Sequence, residues 1–341
     1  MQKFSDYDLI IDARSPREYA EDHIPGALNW PVVFDEEYAE VGTLHRTDKM
    51  AAYQLGVRYA LTNMSRRIEQ DLKDYRYDSK ILVYCFRGGK RSRLWLNSLD
   101  IIGYRVEVLK GGWKAYRHTV NEALASVPAR YRYNVLSGST GCGKTRLLYA
   151  LEKAGAQVLD LEAIAVHRGS IIGAVPGQSQ PTQKMFDSLL VEKLMTFDPA
   201  RPIWVEAESK KIGNVQLPDA LLATMRKGTI IQVSSDMSQR VTLWREDYRH
   251  FEEDPAGLLG RLQHLIPLVG KKEFDGWQGL ADEGNIPLLF ETLMRNHYDP
   301  AYNRSILRNY PDIDSAPTLA LQDLSPEGLL PVATDLRAKF E

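Results

Sequence analysis

The sequence predicts two α/β domains in tandem, each built on a mostly parallel sheet. Three observations predict this. Apolar runs of strand length alternate with amphipathic runs of helix length, so that strands feed helices. That rhythm stops near Ser126–Arg132 and then restarts. The chain has 341 residues, and at ~100–200 residues per domain that favours two domains over one. The expected division is 1–128 and 129–341, the second part ending in a mostly helical extension.

The elements follow in order. DLIIDA (8–13) and KILVYC (80–85) read as buried strands, and YRVEVL (104–109) alternates as a third. Between them MAAYQLGVRYALTNMSRRIEQDL carries the period of an amphipathic helix. SVPARYRY reads as a linker into a new strand, YNVLSG (133–138). A Gly-rich turn and the helix KTRLLYALEKA come next. AQVLDL, PIWVEA and GTIIQVS then read as further strands. From about Leu262 the tail mixes Gly, Asp and Asn with apolar residues, and mostly helix is expected there.

Composition is ordinary for a globular chain, 44% hydrophobic and 26% charged, which excludes disorder, collagen and coiled coil. No apolar run is long enough to span a bilayer, so no membrane partner is expected. The opening MQKFSDYDLIIDAR carries acids where a signal peptide carries a basic and then an apolar region. Two cysteines, Cys85 and Cys142, are too few for a disulfide framework or a zinc cluster, and no metal site is assigned. A cytoplasmic location with free thiols is expected. The net charge of −2 means that a nucleic-acid partner must be held by a local basic patch; DNA is not expected.

Cys85 ends a strand and opens CFRGGKRSRLWL. Gly88 and Gly89 let the backbone curl. Arg87, Lys90, Arg91 and Arg93 follow within eight residues, and no acid lies between Cys85 and Ser98. Ser92 reads as the start of a helix. A curled loop entering a helix N-terminus aims several N–H groups at one spot and forms an anion cradle. A thiol there should ionise below its free value of ~8.5. The plain alternative is a buried core cysteine.

The segment Gly138, Ser139, Thr140, Gly141, Cys142, Gly143, Lys144, Thr145 matches G-x-x-x-x-G-K-[ST] in full, and it stands between a predicted strand and a predicted helix, as a phosphate-binding loop should. Its backbone N–H groups would cradle phosphate oxygens. Lys144 would reach the terminal phosphates, and the Thr145 hydroxyl is placed for Mg²⁺. Glu206 or Glu208, at the end of PIWVEAES, is a candidate to hold that ion through water. Asp160 and Glu162 are weaker candidates. Cys142 reads as a small loop filler.

Other stretches are less specific. HRGSIIGAVPGQSQPTQKMF (167–186) is a long polar loop, and such loops are often functional; His167 and Arg168 are its candidates. WREDYRHFEED (244–254) reads as a solvated helix face. RNHYDPAYNRS (295–305) interleaves aromatics with Arg295 and Arg304, which suits stacking on unpaired bases or a packed terminal segment.

DLIIDARSPREYAEDHIPGALNWP (8–31), YCFRGGKRS and LKGGWKAYR (109–117) resemble, in order, the opening, active-loop and closing signatures of rhodanese domains. The resemblance implies a cysteine, Cys85, that carries sulfur or selenium. One departure is the loop length. Cys85 to Arg91-Ser92 gives C-x5-R-S, the spacing of phosphatase-like loops that hold a tetrahedral phosphate, one residue longer than in many sulfur carriers. Tyr84 stands where those phosphatases usually place a histidine. A wider cradle suits a phosphorylated chalcogen donor. A rhodanese domain joined to a P-loop NTPase-like domain, with VHRGSIIG, QPTQKMF, WVEAESKKIGNVQLP and HYDPAYNRS, resembles the bacterial tRNA 2-selenouridine synthase family.

That resemblance implies conversion of wobble 2-thiouridine in tRNA to 2-selenouridine through an S-geranyl intermediate. The implied substrates are geranyl diphosphate and selenophosphate, with no tightly bound cofactor. The implied partners are tRNA and an enzyme supplying selenophosphate. Two other readings of the same residues stand: an ATP-dependent tRNA sulfurtransferase or kinase with a rhodanese carrier domain, and a nucleotide-gated RNA-binding protein. The intact Cys85 argues against the last.

Overall fold

The computed structural model describes residues 3–311 and 313–341. The chain divides into two compact units. Unit 1 holds the residues up to Ala123 together with Thr182–Glu192, and unit 2 holds Leu124–Pro181 and Lys193–Glu341.

In unit 1, β1 (Leu9–Asp12), β2 (Leu28–Asn29), β3 (Lys80–Tyr84) and β4 (Arg105–Val108) form a parallel sheet in the order β2-β1-β3-β4. β1 is buried throughout and β3 in all but its first residue, as expected for central parallel strands covered on both faces. The register pairs Asp12 with Tyr84. Both strands therefore end at the same edge, where ligand sites form in open parallel sheets. Around the sheet stand α1 (Pro16–Glu21), α2 (Asp35–Leu44), α3 (Lys49–Gln70), α4 (Lys90–Ile102) and α5 (Gly112–Ser126). Ser15 and Glu18 close a capping box on α1, with Pro16 in its first turn. Trp30 and Trp95 fill the core, and the Trp95 indole donates to the Trp30 carbonyl at 3.0 Å. Arg14 and Asp12 form an ion pair that is 2% and 0% exposed. It is tolerated because Arg14 also donates to the Asp22 carbonyl at 2.6 Å and lies over the rings of Tyr84 and Trp113.

In unit 2, β5 (Tyr133–Ser137) starts a second parallel sheet with β6 (Gln157–Leu159) and β7 (Ile203–Glu206). A small antiparallel hairpin, β8 (Lys211–Ile212) and β9 (Val215–Gln216), stands apart. β10 (Thr229–Ser234) and β11 (Thr318–Ala320) complete the sheet in the order β11-β10-β5-β7-β6. The first strand is central, so its C-terminal end is the point where strand order reverses, the usual ligand position in such sheets. Helices α6 (Lys144–Lys153), α7 (Leu161–Ala165), α8 (Gln183–Met195), α9 (Asp219–Met225) and α10 (Met237–Asp247) follow in sequence. A helical lobe then runs through α11 (His250–Glu253), α12 (Pro255–Leu262), α13 (Ile266–Val269), α14 (Lys271–Asp282), α15 (Ile286–Leu293) and α16 (Asp299–Asn309), with a π-helical turn at Met294–Tyr298. The closing helix α17 (Pro326–Phe340) packs Leu329, Ala333 and Leu336 into the core that holds Leu147 and Leu151 of α6.

Two sequence readings are corrected here and one is extended. The helix after the cysteine loop begins at Lys90, two residues before Ser92. The tail is mostly helical, as expected, and adds an edge strand, β11, which three residues are too few to reveal by periodicity. The stretch 244–254 is not a plain solvated face: Trp244, Tyr248 and Phe251 are 2%, 4% and 2% exposed in the core of the helical lobe, while Arg245 and Glu252 pair on its outside.

The first ten residues of α8 belong to unit 1. Ser188 donates to Asp22 Oδ1 at 2.8 Å, and the Trp113 indole donates to Asp22 Oδ2 at 2.8 Å. Arg117 pairs with Asp187 and donates to the Lys184 carbonyl at 2.9 Å. Asp22 is fully buried. Burial raises its pKa, against the pull of those two donors.

Candidate functional site

The Cys85 loop sits at the C-terminal end of β3 and runs into α4. Cys85 is 3% exposed. Its Sγ accepts from the Gly89 N–H at 3.2 Å and lies 3.3 Å from the Ser92 hydroxyl. Burial alone raises the thiol pKa. The Ser92 hydroxyl and the N–H groups of Ser92, Gly89 and Arg87 together outweigh burial, so the pKa is lowered from its ordinary value. The N-cap of α4 is Gly89, which has no side chain of its own to take the donors at the helix start from the sulfur.

The loop is held from behind by the start of α5. The Trp113 N–H donates to the Cys85 carbonyl at 2.8 Å, and the Lys114 N–H to the Phe86 carbonyl at 3.0 Å. This approach requires Gly112. Its φ is +59°, and a Cβ there would lie 2.2 Å from the Cys85 carbonyl oxygen and 2.5 Å from the Gly88 nitrogen. The loop cations are less free than the sequence suggests. Arg91 forms a two-pronged pair with Glu18, at 2.5 and 3.2 Å. Lys90 Nζ lies 3.5 Å from the centre of the Tyr53 ring, and the Arg87 guanidinium is 5.7 Å from that of Phe86. Tyr84 is buried and its hydroxyl accepts from the Ile24 N–H.

The phosphate-loop motif lies between β5 and α6. Gly138 has φ +158°, and a Cβ there would stand 2.2 Å from the Val233 carbonyl oxygen on the neighbouring strand. Lys144 Nζ donates to the carbonyls of Gly138 and Ser139 at 2.7 and 3.2 Å. The Gly138 N–H donates to the Tyr302 hydroxyl at 2.6 Å, which also meets Ser137 Oγ at 2.7 Å. Arg240, 6% exposed, clamps the Thr140 carbonyl to the Asp299 carboxylate. Cys142 is 1% exposed, and burial pushes its pKa up.

Acidic groups face this loop. Glu206 is buried and hydrogen-bonds the Thr145 hydroxyl. Glu208 is pushed up to about 8, by burial first and then by Glu206, against the pull of Lys144. Glu162 is raised well above the usual range by burial and by Glu208 and Glu206. Burial opposes the charge on Lys144, but Cys142, Glu206, Tyr302 and Glu208 outweigh it and raise the lysine's pKa. Asp160 caps α7 through Oδ1, and its Oδ2 is buried without a partner.

Above the loop opens a cavity of about 820 Å³. Lys144 and Thr145 of the phosphate-loop motif line it together with the acids Glu162, Glu206 and Glu208, and its apolar and aromatic wall includes Ile171, Val175, Trp244, Tyr298, Tyr302 and Ile306.

A rhodanese-like domain model matches residues 1–119. A model described as the tRNA 2-selenouridine synthase AAA domain matches residues 131–256. A tRNA 2-selenouridine synthase of Nitrosomonas europaea is 34% identical over 263 residues, covering 76% of this chain and 67% of that protein. One from Marinobacter nauticus is 30% identical over 336 residues, covering 89% and 90%. One from Shewanella piezotolerans is 34% identical over 331 residues, covering 87% and 88%. The chain belongs to the tRNA 2-selenouridine synthase family. It is a tRNA-modifying transferase, and among the described residues no helix is long and apolar enough to cross a membrane.

Within this synthase fold the sequence candidates fall into two groups. Cys85, Arg87, Gly88, Gly89, Lys90 and Arg91 form one loop in unit 1. Lys144, Thr145, Glu162, Glu206, Glu208, His167 and Arg168 line one cavity in unit 2. His167 is 8% exposed with its pKa lowered by burial and then by Arg261. Arg168 lies over the Tyr248 ring and donates to the Asp247 carbonyl. Arg295 is spent on Glu291. Four contributors were not singled out from sequence. Ser92 as a donor to the thiol was signalled by its place in C-x5-R-S. Tyr302 and Asp299 lay inside HYDPAYNRS. Arg240 had no local signal, because its partners are 59 and 100 residues away in sequence.

Proposed function

We propose that this chain converts wobble 2-thiouridine in tRNA to 2-selenouridine in two steps. The first, S-geranylation from geranyl diphosphate, takes place in the P-loop cavity. The second, replacement of the geranylthio group by selenium from selenophosphate, takes place at Cys85. The observation that carries this reading is the cavity, a phosphate cradle continuous with an aromatic wall. A terpenyl diphosphate would set its diphosphate in the cradle and its chain against the apolar residues Ile171, Val175 and Ile306, and a nucleoside triphosphate would instead stack its base on the rings.

In the first step the thiouridine sulfur attacks C1 of the geranyl chain, the C–O bond to diphosphate breaks, and the N3 proton of the base leaves. Lys144, now on the carbonyls of Gly138 and Ser139, turns to the stronger acceptors that diphosphate offers. The loop N–H groups and Lys144 stabilise the charge that grows on the leaving group. Thr145 and Glu206, which line the cavity, are hard oxygen donors that would hold a Mg²⁺ ion. Such an ion would add charge neutralisation. The apolar residues of the wall would cover the geranyl chain. In the second step the S-geranyl group is the better leaving group. Cys85, whose pKa the cradle lowers, attacks the phosphorus of selenophosphate and the P–Se bond breaks. The selenide released attacks C2 of the base, geranylthiolate leaves, and water then frees phosphate from the sulfur of Cys85.

The test is the Lys144→Ala protein given two substrates, thiolated and geranylthiolated tRNA, with selenouridine read by mass spectrometry after digestion. S-geranylation falls steeply, and geranylthiolated tRNA restores selenation. Cys85→Ala fails on both substrates but still geranylates. Failure of Lys144→Ala on both, with a strict ATP requirement in the unaltered protein, would overturn the geranyl reading in favour of an ATP-dependent sulfurtransferase.

A further inference from the structure

The Cys85 loop has a flank that the thiol chemistry does not use. Tyr38 on α2 and Tyr53 on α3 are 49% and 45% exposed. Each ring carries a loop cation on its face. Lys90 Nζ is 3.5 Å from the Tyr53 centroid, and the Arg91 guanidinium carbon is 5.5 Å from that of Tyr38. Arg91 is braced from the other side by Glu18, so its plane is fixed. His45 packs against Tyr53 with ring centres 5.5 Å apart and planes inclined at 64°. Lys90 and Arg91 follow directly on Gly89, whose N–H lies 3.2 Å from the Cys85 sulfur. The rings therefore meet two cations of the loop that carries the nucleophile.

Exposed aromatic side chains beside a reactive group mark a recognition surface. Here the ring faces are interleaved with cations, which disfavours a purely apolar occupant. A planar π-system attached to phosphate satisfies both parts, because rings stack bases and cations meet phosphate oxygens.

We propose that Tyr38 and Tyr53 form the platform on which the unstacked wobble nucleoside is received at the Cys85 site, with Lys90 taking an adjacent phosphate. This rests on the tRNA reading above and adds the residues that hold the base.

The test uses the full chain and a labelled anticodon stem-loop RNA carrying 2-thiouridine, with a fully paired duplex of the same length as the comparison. Tyr38→Ala and Tyr53→Ala each weaken stem-loop binding about 5- to 150-fold, the range of one lost base stack. Duplex affinity and the Cys85 thiolate titration stay as they were, and Tyr→Trp at each position restores binding. Alanine variants that bind the preferred stem-loop as well as the unaltered protein would overturn the platform alone. So would loss that Trp does not restore. Unaltered protein that binds stem-loop no better than duplex would overturn the platform and the tRNA reading together. Retained RNA affinity with lost selenium transfer would also overturn it, and would assign the rings to a protein donor.

Discussion

Removing the Ser92 hydroxyl should raise the Cys85 pKa by about one unit. The hydroxyl has one proton and two acceptors within reach, Cys85 Sγ at 3.3 Å and the Gly89 carbonyl at 3.1 Å. With a neutral thiol the proton goes to the carbonyl. With a thiolate it turns to sulfur. A hydrogen bond to a charged group contributes about 1.5–3 kcal/mol and one to a neutral carbonyl about 0.5–1.5. The difference favouring the thiolate is thus ~1–1.5 kcal/mol, and 1.36 kcal/mol is one pKa unit. The N–H groups of Arg87, Gly89 and Ser92 remain in Ser92→Ala, so part of the lowering survives. The assay is the ultraviolet absorbance of thiolate against pH, with Cys85→Ser subtracted to remove Cys142, which titrates higher because it is buried. At pH values where both proteins are mostly thiol, the variant should hold about a tenth of the original thiolate. Its selenation rate should recover as pH is raised. A titration shifted by less than about 0.3 unit would refute the role of the hydroxyl. So would a rate deficit that persists at high pH.

Two further outcomes follow from the same geometry. Gly112→Ala should destabilise the protein by about 2–4 kcal/mol, combining the left-handed backbone with overpacking against backbone atoms that cannot swing away. Gly89→Ala, where a Cβ meets nothing within 4 Å, should be near neutral, and equal denaturation midpoints for the two variants would discard the bracing argument. Glu208 has a folded pKa raised to about 8, so between about 4.3 and that value the folded state binds the extra proton and stability falls as pH rises. Glu208→Gln should flatten the decline in melting temperature from pH 5 to 9, and parallel curves would remove Glu208 from the acidic face.

The central strands and the two loops were legible because each has a local signature. Buried parallel strands are continuous apolar runs, as ILVY is, and the phosphate loop compresses its function into eight adjacent residues. What was not legible lies across the chain. The Thr140–Arg240–Asp299 clamp joins residues from three distant stretches. Thr318–Ala320 becomes a strand only because β10 offers it an edge. Tyr302 reads as a tail aromatic until its hydroxyl is seen on Ser137 and Gly138. The apolar wall of the cavity has no motif, since Trp244 and Tyr298 obey the same burial pattern as any core residue.

The placement of Thr182–Glu192 in unit 1 bears on how this gene can be taken apart. The polypeptide passes from one unit to the other three times, so a single scission cannot yield two intact modules. Cutting after residue 128 would strip Ser188 from Asp22 and Asp187 from Arg117. A carboxylate built for two donors would keep one, and a guanidinium would lose its counter-charge. The amino-terminal half produced alone is thus a wounded version of unit 1, and restoring it means splicing the helical segment back as a tethered peptide. Evolution faces the same constraint. Recombination at the visible seam would separate a helical segment from the unit it packs into, which ties the inheritance of the two halves together.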